Sequence, residues 1–564
     1  MRKKLEALGG RGSSLAAGVI LLAGLLAMDA RRDPTFADDV APILARECVA
    51  CHNPSGWAPF SLTSYEAVRR RGERIVEATS SGHMPPWLPE AAPGTFQGER
   101  RLTPGEVELL RRWVEAGYPP GDLSGVDLSS VDPGWDPGAP DLVVELPTYH
   151  LPAEGGDRYR NLVVPIPVQE TRWVEYVELV PGSRTAVHHA RMMVDTTTTS
   201  AELAARDPEP GFDGMELLSQ ATNPDGHFVG WTPGKTRLKP PEGMAWRLDP
   251  GTDLVVQLHL RTSGQAEDVS ARVELHFADE PPTRHPAILV ISSLMIDIPP
   301  GATDYTVVNS FTLPVDVDVL SIYPHAHFLG KELRATAILP DGRERVLIHI
   351  PDWDFNWQDD YRFTRPVSLP AGTRIVKEYS YDNSARNPSN PSDPPRRVVY
   401  GSNSDDEMAD LILQVLPENE RDREALLQAQ AWQHETEDMA YLAWDEYRKG
   451  RAAMEAGELD TAVRHFRAAL QYRADHVGAL VGLARIFGER GDWSSSLMIA
   501  RQAELMSSGE DPRALDVLSR AQAEMGETDE ALDTARRGLS LARSRGEAEL
   551  AAVLEGRIAR LRRR

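Results

Sequence analysis

Cysteine is almost missing from this chain: 564 residues contain two, Cys48 and Cys51. So small a supply leaves no disulfide framework, and the domains must stand on packed cores. Positive charge is also in deficit. The 61 Lys and Arg face 85 Asp and Glu, a formal net charge of -24 that argues against a nucleic-acid or anionic-membrane partner. The N-terminal apolar run, residues 15–28, is shorter than the roughly 20 residues that cross a bilayer. Behind Arg2, Lys3, Lys4 and Arg11 it reads as a secretory signal cut after Ala30 or Ala37, with an uncleaved anchor as the rival. The remainder is too long for one core, and at about 100–200 residues per domain it predicts three to five units.

Both cysteines fall in Cys48-Val-Ala-Cys51-His52, just past that signal. This is the C-x-x-C-H pattern of c-type haem attachment: two thioether bonds hold the porphyrin edge and His52 takes one axial iron position. A redox dithiol is the competing reading. For the sixth iron ligand the best-placed donor is Met84 in Gly82-His83-Met84-Pro85-Pro86-Trp87, where the prolines stiffen the loop. His83 is the alternative ligand, and a packing role for Met84 stays open. Residues 65–78 and 102–116 read as helices. In the second, Thr103 caps the start, Pro104 takes the first helical position and Glu106 completes a capping box. Together residues 38–120 resemble the small cytochrome c domains of exported bacterial multidomain proteins. The stretch 119–140 is rich in Pro and Gly, a composition that builds no core, and predicts a linker over 121–141.

From 142 to 418 short alternating apolar runs recur at 173–180, 252–260, 271–277, 287–298, 315–322 and 333–339, punctuated by Gly, Pro, Asn and Asp. That is the pattern of antiparallel sandwiches, and the length suits two in tandem, 142–284 and 285–418. Within the second lies 323–330, Tyr-Pro-His-Ala-His-Phe-Leu-Gly. On a strand, residues i and i+2 share a face, so His325 and His327 would form a two-ligand metal clamp. Alone this is a weak sign. Three further groups of donors accompany it: His188 and His189 in Val-His-His-Ala-Arg-Met-Met, His259 in Val-Val-Gln-Leu-His-Leu, and Met408 in Ser-Asp-Asp-Glu-Met-Ala-Asp.

His-His, then Gln-Leu-His, then His-x-His before a glycine, then Gly-Ser-x-Ser-x-Asp-Glu-Met resembles the type II copper, ascorbate-dependent monooxygenases, the family of peptidylglycine alpha-hydroxylating and dopamine beta-monooxygenases. The resemblance spans roughly 145–418. It extends to Trp353-Asp-Phe-Asn-Trp357-Gln358, Leu369-Pro-Ala-Gly372, Tyr381-Asp-Asn383-Ser384 and Asn387-Pro388. It implies jelly-roll-like sandwiches, with His188, His189 and His259 on an electron-storing copper and His325, His327 and Met408 on the copper where dioxygen is activated. Imidazole suits both copper oxidation states and a thioether favours Cu(I). The implied reaction is hydroxylation of a C–H bond, in which the metals carry the chemistry. Gln257 either lies in the cleft between the coppers or serves the fold. Departures matter too. Tyr323 stands where the peptide-amidating member has a substrate-binding arginine, and Ile412 where it has a tyrosine, which speaks against a glycine-extended peptide substrate. The family's disulfides are missing. His227, His276, His285 and His349 have no partner at ligand spacing and read as packing or surface residues.

From 443 the composition turns to Ala, Leu, Glu and Arg with helical periodicity, after a helical connector over 419–442. Gly457-Glu-Leu-Asp-Thr-Ala462, Gly491-Asp-Trp-Ser-Ser-Ser496 and Gly526-Glu-Thr-Asp-Glu-Ala531 recur at spacings of 34 and 35, the period of tetratricopeptide repeats. Ala452, Ala462 and Ala469 are the expected close-packing positions. The fold class expected is therefore multidomain: residues 1–37 signal or anchor, an all-α haem domain, two β-sandwiches and a helical solenoid over 443–564. The function expected is a periplasmic or membrane-anchored copper monooxygenase acting on a small molecule, fed by haem c and by an ascorbate-like or protein donor, with a protein partner on the repeats. A copper-binding protein without turnover and a repeat-mediated scaffold are the alternatives.

Overall fold

The computed structural model describes residues 32–54, 58–128, 135–183, 186–214, 220–233, 235 and 237–563. The signal run 15–28 and the cleavage position Ala30 lie outside them. The chain divides into two units: Met1–Ile291, Pro299–Arg396 and Gly401–Glu424 form one, and Ser292–Ile298, Arg397–Tyr400 and Ala425–Arg564 the other. Among the described residues no helix is long and apolar enough to cross a membrane.

The first unit starts with short helices around one core of Phe36, Val40, Leu44, Val68, Leu110 and Trp113. Phe36 falls inside the segment assigned to the signal, 1–37, yet it is 1% exposed and packs edge-on against Tyr65 at 5.2 Å. The folded part therefore begins before Ala37, and a cut there would strip the core. The expected helix 65–78 is two helices, Tyr65–Arg69 and Gly72–Ser80, with Arg71 out of helical conformation between them and Gly72 packed where a Cβ would meet the Tyr118 ring at 2.4 Å. Pro104–Glu115 is one helix with the predicted Thr103–Glu106 capping box. The expected linker is shorter than 121–141: Leu128 is 4% exposed within the same core as Trp113, and Trp135 stacks edge-on against Tyr176 at 4.9 Å.

The β-rich region begins at Leu142–Glu145. A four-stranded sheet runs in the order Leu142–Glu145, Ala271–Phe277, Arg172–Pro181, Trp246–Leu248. A five-stranded sheet runs Phe212–Asp213, Arg158–Pro165, Asp253–Leu260, Val187–Asp195, Val229–Trp231. Val174, Leu179, Trp246 and Val273 from the first and Leu162, Met192, Val256 and Leu258 from the second share one core. Burying one apolar face of each sheet drives this pairing.

Two more four-stranded sheets follow after residue 286. One runs Ala287–Ile291, Asp410–Pro417, Val317–His325, Tyr361–Leu369, the other Tyr305–Thr312, Arg374–Tyr381, Gly330–Ile338, Glu344–Ile350. Alternate residues of Arg374–Tyr381 cross from the second to the first: Lys377 Nζ donates to Ala409 O, Tyr379 Oη to Asp410 O at 2.9 Å and Tyr381 Oη to Met408 O at 2.8 Å. The expected strand 287–298 stops at Ile291, where its pairing with Leu411 ends; Asp297–Ile298 pairs instead with Val398–Val399 in the second unit. The N-terminal region is joined to these sheets by an isolated β-bridge that periodicity does not reveal. Phe96 pairs with Phe363, Thr364 N donates to Thr95 O at 2.9 Å, and Gln97 N donates to Arg362 O at 2.8 Å.

The second unit is helical. Glu420–Glu455 is a single helix of 36 residues that crosses the expected boundary at 442, since no Gly or Pro occurs from 420 to 449 to end it. Helices Leu459–Tyr472, Val477–Glu489, Trp493–Met506, Pro512–Glu524, Thr528–Ser544 and Ala548–Leu561 follow. Gly457, Gly491 and Gly526 sit between helices at φ of 79°, 77° and 85°, a left-handed turn that glycine adopts without strain. Ala462 and Ala469 are fully buried, but Ala452 is exposed, and its neighbour Ala453 takes the packed position.

Candidate metal centres

In Asp253–Leu260 the alternation sends Leu254, Val256, Leu258 and Leu260 into the core and leaves Val255, Gln257 and His259 on the opposite face. The neighbouring strand Val187–Asp195 buries Val187 and Ala190 in that same core, with a bulge between Val187 and His189. A bulge lets two consecutive side chains leave on one side, so both histidines of a His-His pair reach His259. The three rings offer ligand atoms within 4.8 Å of one another. His188 Nδ1 lies 3.1 Å from His189 Nδ1, and His259 Nδ1 lies 3.3 Å from it. Nitrogens held at about 2.0 Å from one ion in tetrahedral directions would stand about 3.3 Å apart. Hydrogen bonding alone serves this trio badly, because His189 Nδ1 has one proton or one lone pair for two such neighbours. The set fits a metal. Tyr159 stacks on His259 at 4.4 Å, and Asp157 Oδ2 lies 2.9 Å from His259 Nε2, off the hydrogen-bond direction. Gln257 serves the fold, donating to Asn161 Oδ1 at 3.0 Å.

The strand carrying the His-x-His ends at His325, so His327 lies beyond it rather than on it. What turns the chain is the Glu407 carboxylate, which accepts from His327 N at 2.8 Å, Leu329 N at 2.7 Å and Met408 N at 3.1 Å. Burial pushes this carboxyl up to about 8 against the pull of those N–H groups. The two rings still meet, with centroids 5.1 Å apart and edge to face. Nδ1 of His325 bonds Gln358 Oε1 at 2.5 Å and Nδ1 of His327 bonds Asp406 O at 3.1 Å. With Nδ1 protonated to donate, each Nε2 presents a lone pair. Both Nε2 atoms are buried without a hydrogen-bond partner among the described residues. Met408 is half-buried, and its backbone is fixed to this turn by Glu407 and by Tyr381.

Phe355 touches both centres, with its ring 5.9 Å from His188 and 5.5 Å from His327. A cavity of about 240 Å³ opens on His188 and His189 and is lined also by Trp357, Gln358 and Lys235. Asp157, Phe355, Gln358 and Glu407 are site residues that spacing did not assign. The signal available was adjacency: Glu407 precedes Met408, and Phe355 and Gln358 stand in the quoted Trp353–Gln358 string.

A second cavity, of about 470 Å³, is lined by Cys48, Cys51, His52, His83 and Met84. His52 Nδ1 lies 3.1 Å from Phe60 O, which turns Nε2 toward an axial role. Burial pushes the Cys48 thiol up to about 12, the opposite of what a redox dithiol needs. These donors fit a covalently held haem. Of the remaining histidines, His285 is exposed, His276 packs on Tyr176, His349 sits between Glu90 and Glu332, and His227 is held at Pro224 O.

Burial, with repulsion from neighbouring rings, holds both His188 and His327 down to about 3. Their folded pKa lies below the unfolded value of about 6.5, so the metal-free protein should lose stability as pH falls from about 6.5 toward 3. Those two rings meanwhile stay unprotonated at pH 5. The affinity of these centres for a metal such as copper, read by chelator competition, is therefore expected to fall less steeply between pH 7 and pH 5 than the about thirtyfold per ligand that ordinary histidines would lose.

No protein-family model matches the chain, and no curated protein matches it. Among solved structures, the TPR domain of Arabidopsis OM64 is similar at 18% identity, covering 22% of this chain and 98% of that one, with a TM-score of 0.20. The Sgt2 TPR domain from Aspergillus fumigatus is 17% identical over 22% of this chain and 77% of that one, and PcrH from Pseudomonas aeruginosa 20% over 21% and 90%, both at a TM-score of 0.20. Scores this low add nothing to the helical pairs described above.

Proposed function

We propose that this chain is an exported copper-dependent monooxygenase that hydroxylates a C–H bond of a small molecule and draws its electrons through a covalently attached haem c. The observation that carries the reading is the convergence of His188, His189 and His259 Nδ1 atoms at separations of 3.1 and 3.3 Å. The balance is R–H, dioxygen, two electrons and two protons giving R–OH and water. Copper supplies one-electron redox and oxygen activation when bound.

The chain's own part is positional. His188, His189 and His259 would hold one ion through Nδ1, while His325 and His327 through Nε2, with the Met408 thioether, would hold the other. Gln358 and the Asp406 carbonyl keep the second pair in the ligating tautomer. Cys48, Cys51 and His52 would hold the haem, with Met84 as the sixth ligand. In this reading the helical regions are a cytochrome c domain and a tetratricopeptide solenoid that binds a protein partner, and the sheets are jelly-roll-like sandwiches. The site of action is the periplasm or the periplasmic face of a membrane.

The test is oxygen uptake by the haem- and copper-loaded protein with a reductant and a small-molecule extract, with labelled dioxygen traced into product by mass spectrometry. Wild type is expected to insert one labelled atom and Met408→Ala to lose most product-coupled uptake. A copper carrier without turnover would give no labelled product in either protein.

A further inference from the structure

The two cavities of the first unit share four lining residues, Pro86, Arg100, Pro233 and Trp357. One cavity carries Cys48, Cys51 and His52; the other carries His188 and His189. Of the four shared residues, only Trp357 has a delocalised ring. Its segment is tied to both histidine centres. Trp353 Nε1 donates to His327 O at 3.1 Å, Phe355 packs on His188 and His327, and Gln358 bonds His325 Nδ1. The Trp357 backbone N–H donates to Asp354 O at 3.0 Å, which fixes the main chain there. One hexapeptide therefore borders the haem cavity and both centres.

Resting on the haem-and-copper reading above, we infer that Trp357 is the positioning residue through which an electron passes from the haem to the His188, His189 and His259 centre. In that step ferrous haem becomes ferric and copper(II) becomes copper(I), one electron each, with no proton or further reactant required. Hydroxylation takes two such electrons. Trp357 lines both cavities, where the saturated proline rings and the guanidinium that share that lining offer no comparable aromatic path. A protein controls a cofactor's reactivity by fixing the distance and the medium between reacting groups.

The experiment uses the full chain, haem-loaded, copper(II)-loaded and fully oxidised, without oxygen, in which a laser flash generates a sub-stoichiometric one-electron reductant that reduces the haem at time zero. Haem reoxidation is then followed by transient absorbance in wild type, Trp357→Phe and Trp357→Leu. Removing the ring leaves a gap of ångström scale, and the leucine variant should slow haem oxidation by about tenfold or more, with phenylalanine in between. The haem spectrum and midpoint potential of the copper-free variants, together with copper content, are read beside it. They should match wild type, which separates a lost path from a disturbed fold. Equal rates in all three proteins overturn the assignment of Trp357. Rates that fall only together with a shifted potential or lost copper also overturn it. A wild type in which the haem stays reduced overturns the parent reading as well.

Discussion

His259→Ala is expected to lower bound copper from two equivalents per chain to one, leaving the ion at His325 and His327 in place. His259 is fully buried and supplies the third Nδ1 of its centre from a different strand than the His188–His189 pair. Without it the two remaining donors form an open pair. Loss of an outer partner of a metal ligand already costs about 10–100-fold in affinity, and loss of the ligand itself should cost more. Equilibrium dialysis against a chelator reads the result, and an unchanged two equivalents would mean that the trio holds no metal. The metal-free variant should keep its circular dichroism, because His259 lies on the face away from the shared core of the two sheets.

Glu407→Ala carries the largest expected effect on stability. The carboxylate is fully buried and satisfies the N–H groups of His327, Leu329 and Met408. Removing it strands three buried donors at about 1–3 kcal/mol each, so a loss of about 3 kcal/mol or more follows. For a unit of about 410 residues that is a fall of about 3–4 °C in the thermal midpoint of the β-rich unit. The copper at the second centre should go with it, since this side chain joins the His-x-His turn to the methionine loop. Glu407→Gln keeps one acceptor oxygen and should fall between the two. A midpoint within a degree of wild type would contradict this role.

Much of the site was legible because its donors are rare residue types at readable intervals. The strand alternation around His259 and the paired histidines after Val187 need only period two and one bulge. The supporting contacts were not legible in the same way. Glu407 looks like one more acid in an acidic stretch, and only folding shows that its oxygens face backbone N–H groups 78 to 80 positions away. Phe355 reads as core, yet its ring lies against His188 and His327. His327 was expected on a strand that stops two residues earlier, because the Glu407 clamp outcompetes ladder pairing there.

The boundaries failed for a related reason. Composition averages over windows, whereas packing acts through single side chains such as Phe36 and Leu128. A helix likewise continues until something stops it, so Glu420–Glu455 ran through the place where composition changed. The repeat spacing of 34 and 35, which depends on short-range geometry, was read more faithfully: the glycines that open each repeated segment, Gly457, Gly491 and Gly526, lie between helices.

The most direct measurement is anomalous X-ray scattering at the copper edge from crystals of the copper-loaded chain. Two peaks are expected. One should be bound by Nδ1 of His188, His189 and His259, the other by Nε2 of His325 and His327 with Sδ of Met408. A single peak, no peak, or copper seated on other side chains would contradict the account.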